Sequence, residues 1–307
     1  MCNPTDRPIA PTSGEAANNM PKELDITELK VAILSGTGRM GVHLAAAWAN
    51  AGIDVIMCSR DIDKARTITD ELISGRGYSE GDIMVPRCDA SKWRLRPGSL
   101  RGAIEADVIV LASPFHVMWR TLRRIYKKLM GKGKIFIDLT NPWQNTSDPH
   151  NPQPIPEGFG QSSVLFHKRL LDDPTASWAM AYRHVYWMLI QPTGPSRRSN
   201  GLGVEVIGED RAVQVAKALI EAHGFRPVVR EGGIEIAPMY ELNFAGNRVF
   251  QSSKGWSYPP PGQDSDGLVS PLSAFSLISL DIVSEKVRRS LFQGYFCSGC
   301  RSNANQA

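Results

Sequence analysis

The sequence predicts an α/β fold in which a doubly wound, mostly parallel sheet carries helices on both faces. Short apolar runs typical of buried strands alternate with longer helical segments from about residue 30 to residue 229. A glycine-rich turn joins the first apolar run to the first helical segment. The chain has 307 residues, of which 42% are hydrophobic and 21% are charged, so it can bury a substantial core.

The first half of the chain alternates regularly between strands and helices. The helix after the first strand is rich in alanine and ends before Gly52, and Asp61 is placed to cap the next helix. The predicted strands are 31–34, 54–57, 82–88 (a weak third strand), 107–112 and 133–139, and the predicted helices are 40–51, 62–74 and 119–130.

The second half resumes the alternation after a proline-rich loop at 142–157. It contains predicted helices at 162–171 and 210–223 and predicted strands at 178–182, 203–207 and 226–229. We therefore expect a disordered leader at 1–28, one folded unit at 29–241, and a partly ordered tail at 242–307 with a linker at 251–270 and a helix at 271–293.

Composition and charge exclude several classes of protein. Five scattered cysteines indicate reduced thiols rather than a disulfide framework, and no apolar run reaches the roughly 18–20 residues of a membrane span. The polar leader lacks the apolar core of a signal peptide, so we expect a cytoplasmic protein. The net charge of +4 is too small and too diffuse to indicate nucleic-acid binding.

The main chemical signal is a G-x-G-x-x-G motif between the first strand and the first helix. Gly36 permits the tight turn, Gly38 lets the backbone approach a pyrophosphate, and Gly41 lets the helix pack closely on the strand. The helix N-terminus then supplies amide donors for phosphate groups. The motif in this context predicts a Rossmann-type dinucleotide-binding domain.

The end of the second strand indicates which dinucleotide is bound. An acidic residue there would favour NAD(H), whereas arginine and hydroxyl groups favour the 2′-phosphate of NADP(H). Ser59 and Arg60 occupy this position and Lys64 follows one turn later, while Asp61 suits a helix cap. The sequence therefore favours NADP(H).

These residues resemble a known family, the deazaflavin-dependent NADP oxidoreductases, and the related N-terminal oxidoreductase domains of the STEAP metalloreductases. The resemblance rests on the phosphate loop, on Ser59-Arg60, on the segment 107–117 (DVIVLASPFHV) and on the D-x-x-N-P pattern from Asp138 to Pro142. It extends more weakly to about residue 241. It implies NADPH binding and hydride transfer to a flavin-type acceptor such as FAD, FMN or a deazaflavin.

The resemblance also implies a set of cofactor-binding residues. The pyrophosphate would contact the loop, the 2′-phosphate would contact the end of the second strand, and the nicotinamide ribose would lie at the carboxyl ends of two later strands. The residues are Gly36, Thr37, Gly38, Arg39, Met40 and Gly41; Ser59, Arg60 and Lys64; and Ala112, Ser113, Pro114, Asn141 and Pro142. The six membrane helices that carry haem in STEAP proteins have no counterpart here.

Three features leave alternatives open. His116 either lines the crevice near the nicotinamide or caps a helix, and no catalytic acid or base is otherwise indicated. Cys297 and Cys300 form a lone C-x-x-C in the tail, which does not predict a metal site. Seven cations and no acid lie between residues 120 and 134, so this basic helix is either a solvated surface or a contact with an anionic membrane or an acidic partner.

Two other functions remain open. The chain could be an NADP(H)-sensing protein that binds the cofactor without turnover. It could also be a reductase like pyrroline-5-carboxylate reductase or a β-hydroxyacid dehydrogenase, but the return to strand–helix–strand after residue 203 disfavours the helical second domain of those enzymes. The sequence leaves a homodimer open and does not identify the acceptor.

Overall fold

The computed structural model describes residues 24–81, 83–141, 143–144, 153–154, 162–183 and 203–241. The strands are β1 (Lys30–Leu34), β2 (Asp54–Ser59), β3 (Tyr78–Glu80), β4 (Ile83–Val85), β5 (Arg94–Ser99), β6 (Val108–Leu111), β7 (Ile135–Asp138), β8 (Trp143–Gln144), β9 (Gln153–Pro154), β10 (Ser177–Ala181), β11 (Gly203–Gly208) and β12 (Arg226–Val229). The helices are α1 (Arg39–Asn50), α2 (Ile62–Ile73), α3 (Phe115–Leu129), α4 (Ser163–Leu171) and α5 (Asp210–Ala222), with short 3-10 turns at Ile26–Glu28, Gly102–Ile104 and Ile234–Met239.

One eight-stranded sheet forms the centre of the described structure, in the order β12-β11-β10-β7-β6-β1-β2-β5. All neighbouring strands are parallel except β10 and β11, which are antiparallel. From β1 the chain first builds outward through β2 and β5, and then returns to the other side of β1 to add β6 and β7. The direction of winding therefore reverses between β1 and β6, and the carboxyl edge at such a point is where open α/β sheets hold ligands.

The sheet is covered on both faces, as the sequence predicts. Alternate residues of β1 enter different cores, with Val31 and Ile33 on one face and Ala32 and Leu34 on the other. Helices α1, α2 and α5 pack on the first face, and α3 and α4 pack on the second. The predicted doubly wound, mostly parallel α/β fold is confirmed.

The predicted third strand at 82–88 is wrong as a member of this sheet. Residues in that stretch form β4, which pairs with β3 in a small antiparallel hairpin separate from the main sheet of the described residues. The third strand of the sheet is β5, whose sequence RLRPGS contains Pro97 and little apolar alternation. β5 lies at the edge of the sheet, and an edge strand tolerates a proline because one row of its amide groups needs no partner. The proline and the weak apolar alternation therefore do not predict a strand from the local sequence.

The basic helix is longer at its start and shorter at its end than the sequence indicates. Helix α3 begins at Phe115 and ends at Leu129, so Lys132 and Lys134 lie beyond it. Lys134 is buried and donates a hydrogen bond to the carbonyl of Ala106. The basic face is therefore confined to the helix, and Lys134 does not belong to it.

Several predictions fall on residues outside the described ranges. They are the loop at 142–157 for the most part, including Pro142, the helix at 271–293 and the pair Cys297 and Cys300. Among the helices that are described, none combines the length and the apolar character needed to cross a bilayer.

Candidate functional site

The glycine-rich loop packs backbone against backbone at the carboxyl end of β1. A methyl group on Gly41 would lie 2.6 Å from the Cα and carbonyl oxygen of Gly36, and one on Gly36 would lie 2.7 Å from Cγ of Met57. Ser35 adopts a left-handed conformation with φ of 64°, and the amide of Gly36 donates to the carbonyl of Cys58 at 2.9 Å. The close approaches at Gly36 and Gly41 therefore require residues without a Cβ atom, while Ser35 provides the left-handed turn.

The loop leads directly into the N-terminus of α1. Gly38 is the N-cap residue of this helix, so no side chain caps the helix. Of the residues around Gly38, Thr37 and Met40 are partly buried and Arg39 is exposed. Helix α1 also carries no acidic residue in its first turn. Uncapped first-turn amides and the positive end of the helix dipole make this position suited to an anion such as a pyrophosphate.

The carboxyl end of β2 lies beside this loop. The buried hydroxyl of Ser59 is 3.3 Å from the hydroxyl of Thr37 and accepts a hydrogen bond from the amide of Asp61 at 3.1 Å. The carboxylate of Asp61 accepts from the amide of Lys64 at 3.0 Å and so caps α2, as predicted. Arg60, between Ser59 and Asp61, is exposed. The hydroxyl of Ser59 and the guanidinium of Arg60 therefore occupy the place where an acidic residue would favour NAD(H).

Lys64 has a neighbour that the sequence did not indicate. Its amine lies 2.8 to 2.9 Å from the carboxylate oxygens of Glu80 at the end of β3, and the hydroxyl of Tyr78 donates to the same carboxylate. The hydrogen bonds from Lys64 and Tyr78 lower the pKa of Glu80. The amine of Lys64 is therefore already paired with the carboxylate of Glu80, which the β3–β4 hairpin places beside α2.

The second wall of the site follows β6. Ala112, partly buried, donates its amide to the carbonyl of Leu34 in β1 at 3.2 Å, and Pro114 is the N-cap residue of α3. The hydroxyl of Ser113 is buried and has no hydrogen-bond partner within the described residues. These residues place the start of α3 next to the phosphate loop across the β1–β6 boundary.

His116 lies in the first turn of α3 and does not cap it, because Pro114 holds the N-cap position. Its Nδ1 atom is buried without a hydrogen-bond partner in the part of the chain that is described. Burial, and then the charge of Arg120 one turn later, lower the pKa of His116 below its ordinary value. The lowered pKa favours the neutral imidazole, whose Nδ1 atom accepts or donates one hydrogen bond according to the tautomer.

Asn141 comes from the loop after β7. Its amide nitrogen donates to the carbonyl of Arg183 at 3.3 Å, and since a carbonyl can only accept, the orientation of the amide is fixed. Its Oδ1 atom then faces elsewhere, buried and without a partner among the described residues. Ser113, His116 and Asn141 thus each hold an unsatisfied polar atom at the carboxyl edge of β6 and β7.

A cluster of charged residues, which the sequence did not reveal, lies buried behind Asn141. The cluster consists of Asp138, His167, Arg183 and Glu241, all of them almost fully buried. Asp138 ends β7 and lies 2.8 Å from Nδ1 of His167 and 3.3 Å from the guanidinium of Arg183. The charges of Arg183 and His167, with hydrogen bonds from His167 and Thr140, outweigh burial and lower the pKa of Asp138.

Glu241 completes this cluster from the far end of the described chain. Its carboxylate lies 2.7 Å from the guanidinium of Arg183 and accepts hydrogen bonds from the hydroxyl of Ser162 and the amide of Ser163 at 2.7 and 2.8 Å. Burial raises the pKa of Glu241, and Arg183 opposes this shift. Only Asp138 of the cluster lay in a recognisable motif, since the other three residues are brought to it by the fold.

Taken together, these groups can hold an extended anionic ligand. The α1 amides suit a pyrophosphate, Ser59 and Arg60 suit a second phosphate, and the unsatisfied atoms near β6 and β7 suit a polar ring. No group of three or more histidine, cysteine or acidic side chains that could hold a metal occurs within the described ranges.

Comparison with solved structures supports the fold alone. A hypothetical protein from Sinorhizobium meliloti matches with a TM-score of 0.50 and 20% sequence identity, over 66% of this chain and 83% of that chain.

Comparison with sequences finds relatives for the first part of the described chain. Curated relatives include the F420-dependent NADP reductases of Methanothermobacter thermautotrophicus, 32% identical over 39% of this chain and 46% of that protein, and of Methanocaldococcus jannaschii, 30% identical over 37% and 46%. The chain thus matches less than half the length of these relatives. The model of the family described as "NADP oxidoreductase coenzyme F420-dependent" matches residues 30–142. The resemblance to STEAP metalloreductases stays a prediction, whereas residues 30–142 are similar to the coenzyme F420-dependent NADP oxidoreductases.

Proposed function

We propose that this chain binds NADP(H) and transfers a hydride between it and a flavin-type acceptor, for which a deazaflavin of the F420 type is the first candidate. The observation that carries the proposal is the pairing of an uncapped glycine loop at α1 with Ser59 and Arg60 at the end of β2. The names of the curated relatives, which are NADP reductases dependent on F420, support the same chemistry.

The pyrophosphate would be held by the loop from Gly36 to Gly41, which includes Thr37, Gly38, Arg39 and Met40. The 2′-phosphate would be held by Ser59 and Arg60, and by Lys64 once its amine is released from Glu80. Asp61 does not oppose this phosphate directly because its carboxylate is engaged in capping α2. These contacts would select NADP(H) over NAD(H).

The reacting rings would meet at the carboxyl edge of β6 and β7. Ala112, Ser113 and Pro114 would line one side, and Asn141 with Pro142 the other. When bound, the two ring systems supply the hydride chemistry themselves, so the chain needs only to orient them and to exclude water. The unsatisfied atoms of Ser113, His116 and Asn141 would fix the ring orientation by hydrogen bonds.

Cofactor titrations test the proposal. The parent protein should bind NADPH more tightly than NADH, and Arg60→Ala should weaken NADPH binding by about tenfold or more while NADH binding changes little, because a charge-assisted contact contributes about 1.5–3 kcal/mol. Arg66→Ala is the matched control, since this exposed arginine of α2 pairs with Asp63. Equal affinities of the parent for the two cofactors would contradict the proposal.

Turnover separates an enzyme from a sensor. We expect NADPH oxidation in stopped-flow experiments with a deazaflavin, FMN or FAD, and a sensor would bind NADPH without any of these being reduced. The reductases with a helical second domain gain no support from the structure, because the chain forms β11, α5 and β12 in this region.

A further inference from the structure

The exposed face of α3 carries a continuous set of positive charges. The helix buries one side against the sheet through residues that include Phe115, Met118, Leu122 and Ile125. The opposite side carries five exposed cations and no acidic residue. These residues, which we term the α3 basic row, are Arg120, Arg123, Arg124, Lys127 and Lys128.

The α3 basic row begins at the candidate site. Residues three, four and seven apart share a helix face, so His116, Arg120, Arg123 and Lys127 follow one another along the same side. Arg120 is close enough to His116 to lower its pKa. With a rise of about 1.5 Å per residue, the row extends roughly 15 Å away from the unsatisfied Nδ1 atom of His116.

The members of the α3 basic row have no recorded carboxylate partner among the described residues, unlike some other cations of the structure. Lys168 pairs with Glu209, and Arg230 pairs with Glu205 at 2.7 Å. Among the ion pairs recorded for the described residues, none involves a member of the row. Within the described residues, the row is therefore a surface of unbalanced positive charge that favours an anion.

The first part of the row is held in place by an aromatic ring. The guanidinium groups of Arg120 and Arg123 lie over the ring of Trp119, 5.2 and 5.7 Å from its centroid. This contact restricts the two side chains and so lowers the entropy cost of binding a ligand.

We propose that the α3 basic row binds the anionic side chain of the flavin-type acceptor, whose ring system lies in the crevice at His116. The acceptor class this implies carries phosphate or carboxylate groups on a flexible side chain attached to the ring. The inference rests on the proposed function, since it assigns a second binding subsite to the acceptor of that reaction. A membrane surface is less favoured because the row starts beside His116 at the candidate site.

Riboflavin and FMN test this subsite, because they share one ring system and differ in a single phosphate. FMN should bind the NADP-loaded protein more tightly than riboflavin, measured by quenching of flavin fluorescence. This advantage should disappear when ionic strength is raised toward ~1 M, where the Debye length falls to about 3 Å. The same difference should be seen in KM during NADPH oxidation.

Charge reversal locates the site. Arg123→Glu with Lys127→Glu should weaken FMN binding by about fivefold or more, while riboflavin and NADPH binding remain unchanged. The control is Arg76→Glu with Lys92→Glu, which reverses two exposed charges away from α3 and should leave all three affinities unchanged.

Each other outcome has a distinct meaning. Equal affinities for FMN and riboflavin, or equal losses of both in the α3 variant, would overturn the subsite. Loss of binding to vesicles of anionic lipid, with FMN affinity intact, would reassign the row to a membrane. FMN binding that depends on the row, without any NADPH oxidation, would support the subsite and contradict the proposed function.

Discussion

At the scale of single residues, Gly41 shows how a motif glycine acts through contact rather than flexibility. Its Cα packs against the backbone of Gly36, where a methyl group would come within 2.7 Å of three backbone atoms. Backbone atoms cannot rotate aside as side chains can, so the loop itself would have to move. The conformation of the loop at the start of α1 therefore depends on this contact.

We predict that Gly41→Ala weakens NADPH binding by about tenfold or more and lowers the free energy of unfolding by about 1–3 kcal/mol, as overpacking does. Isothermal titration and urea unfolding measure the two effects. Gly102→Ala is the control, because a methyl group there meets Ile56 at an ordinary 3.4 Å. Unchanged NADPH affinity in Gly41→Ala would show that the loop does not hold the phosphates.

The sequence predicted those residues whose role depends on near neighbours. Asp61 was predicted as a helix cap from its place before α2, and the structure confirms it. The contact between Lys64 and Glu80 was not foreseen, because it joins a helix to a hairpin and follows no local periodicity. The same holds for Glu241, which meets Arg183 across 58 residues of chain.

At the scale of elements, the N-terminus of α4 is stabilised by hydrogen bonds to Glu241, a residue that lies outside the helix. Ser162 caps the helix, and the carboxylate of Glu241 accepts from the hydroxyl of Ser162 and from the first amides. A negative charge at this end also interacts favourably with the helix dipole. The segment after the last 3-10 turn thus closes the α4 side of the sheet.

Glu241→Ala should lower the free energy of unfolding by about 3 kcal/mol or more, because it leaves the guanidinium of Arg183 buried without this partner. Urea denaturation gives the value. Glu235→Ala removes a carboxylate that is 72% exposed and 3.6 Å from Lys168, and should cost less than about 1 kcal/mol. Equal effects of the two changes would contradict the role of Glu241.

Elements with strong apolar patterns were predicted well, and β5 was not. Strands β1, β6 and β7 are buried on both faces and show as continuous apolar runs. β5 lies at the edge of the sheet, half covered, and contains charged residues and a proline. Its position is determined by pairing with β2, which the local sequence does not record.

At the scale of the whole molecule, the buried cluster around Asp138 joins parts of the chain that are far apart in sequence. Asp138 ends β7, His167 belongs to α4, Arg183 follows β10 and Glu241 follows the last turn. Removing one charge from such a cluster leaves the others unpaired in a medium of low polarity. The stability of the entire described fold should therefore respond to the ionisation of Asp138.

The pKa of Asp138 is lower in the folded chain than its ordinary value of about 3.9. Its ionised form therefore stabilises the fold above about pH 4, and this contribution is lost as the pH falls through the folded pKa. Asp138→Asn should cost about 3–5 kcal/mol at pH 7, and the difference from the parent should shrink below about pH 4. Urea unfolding across this range measures it, and a difference that stays constant to low pH would refute the assignment.

The position of α5 has a consequence for how the chain reaches its fold during synthesis. Trp48 of α1 is fully buried and donates to the carbonyl of Leu219 in α5 at 2.9 Å, and both helices share one apolar core. Helix α1, which follows the glycine-rich loop, is thus covered by residues of α5 that lie about 170 positions later in the chain. A nascent chain that stops at residue 142 would leave this apolar side of α1 in water, so residues 30–142 should depend on the emergence of α5, or on a chaperone, to remain monomeric.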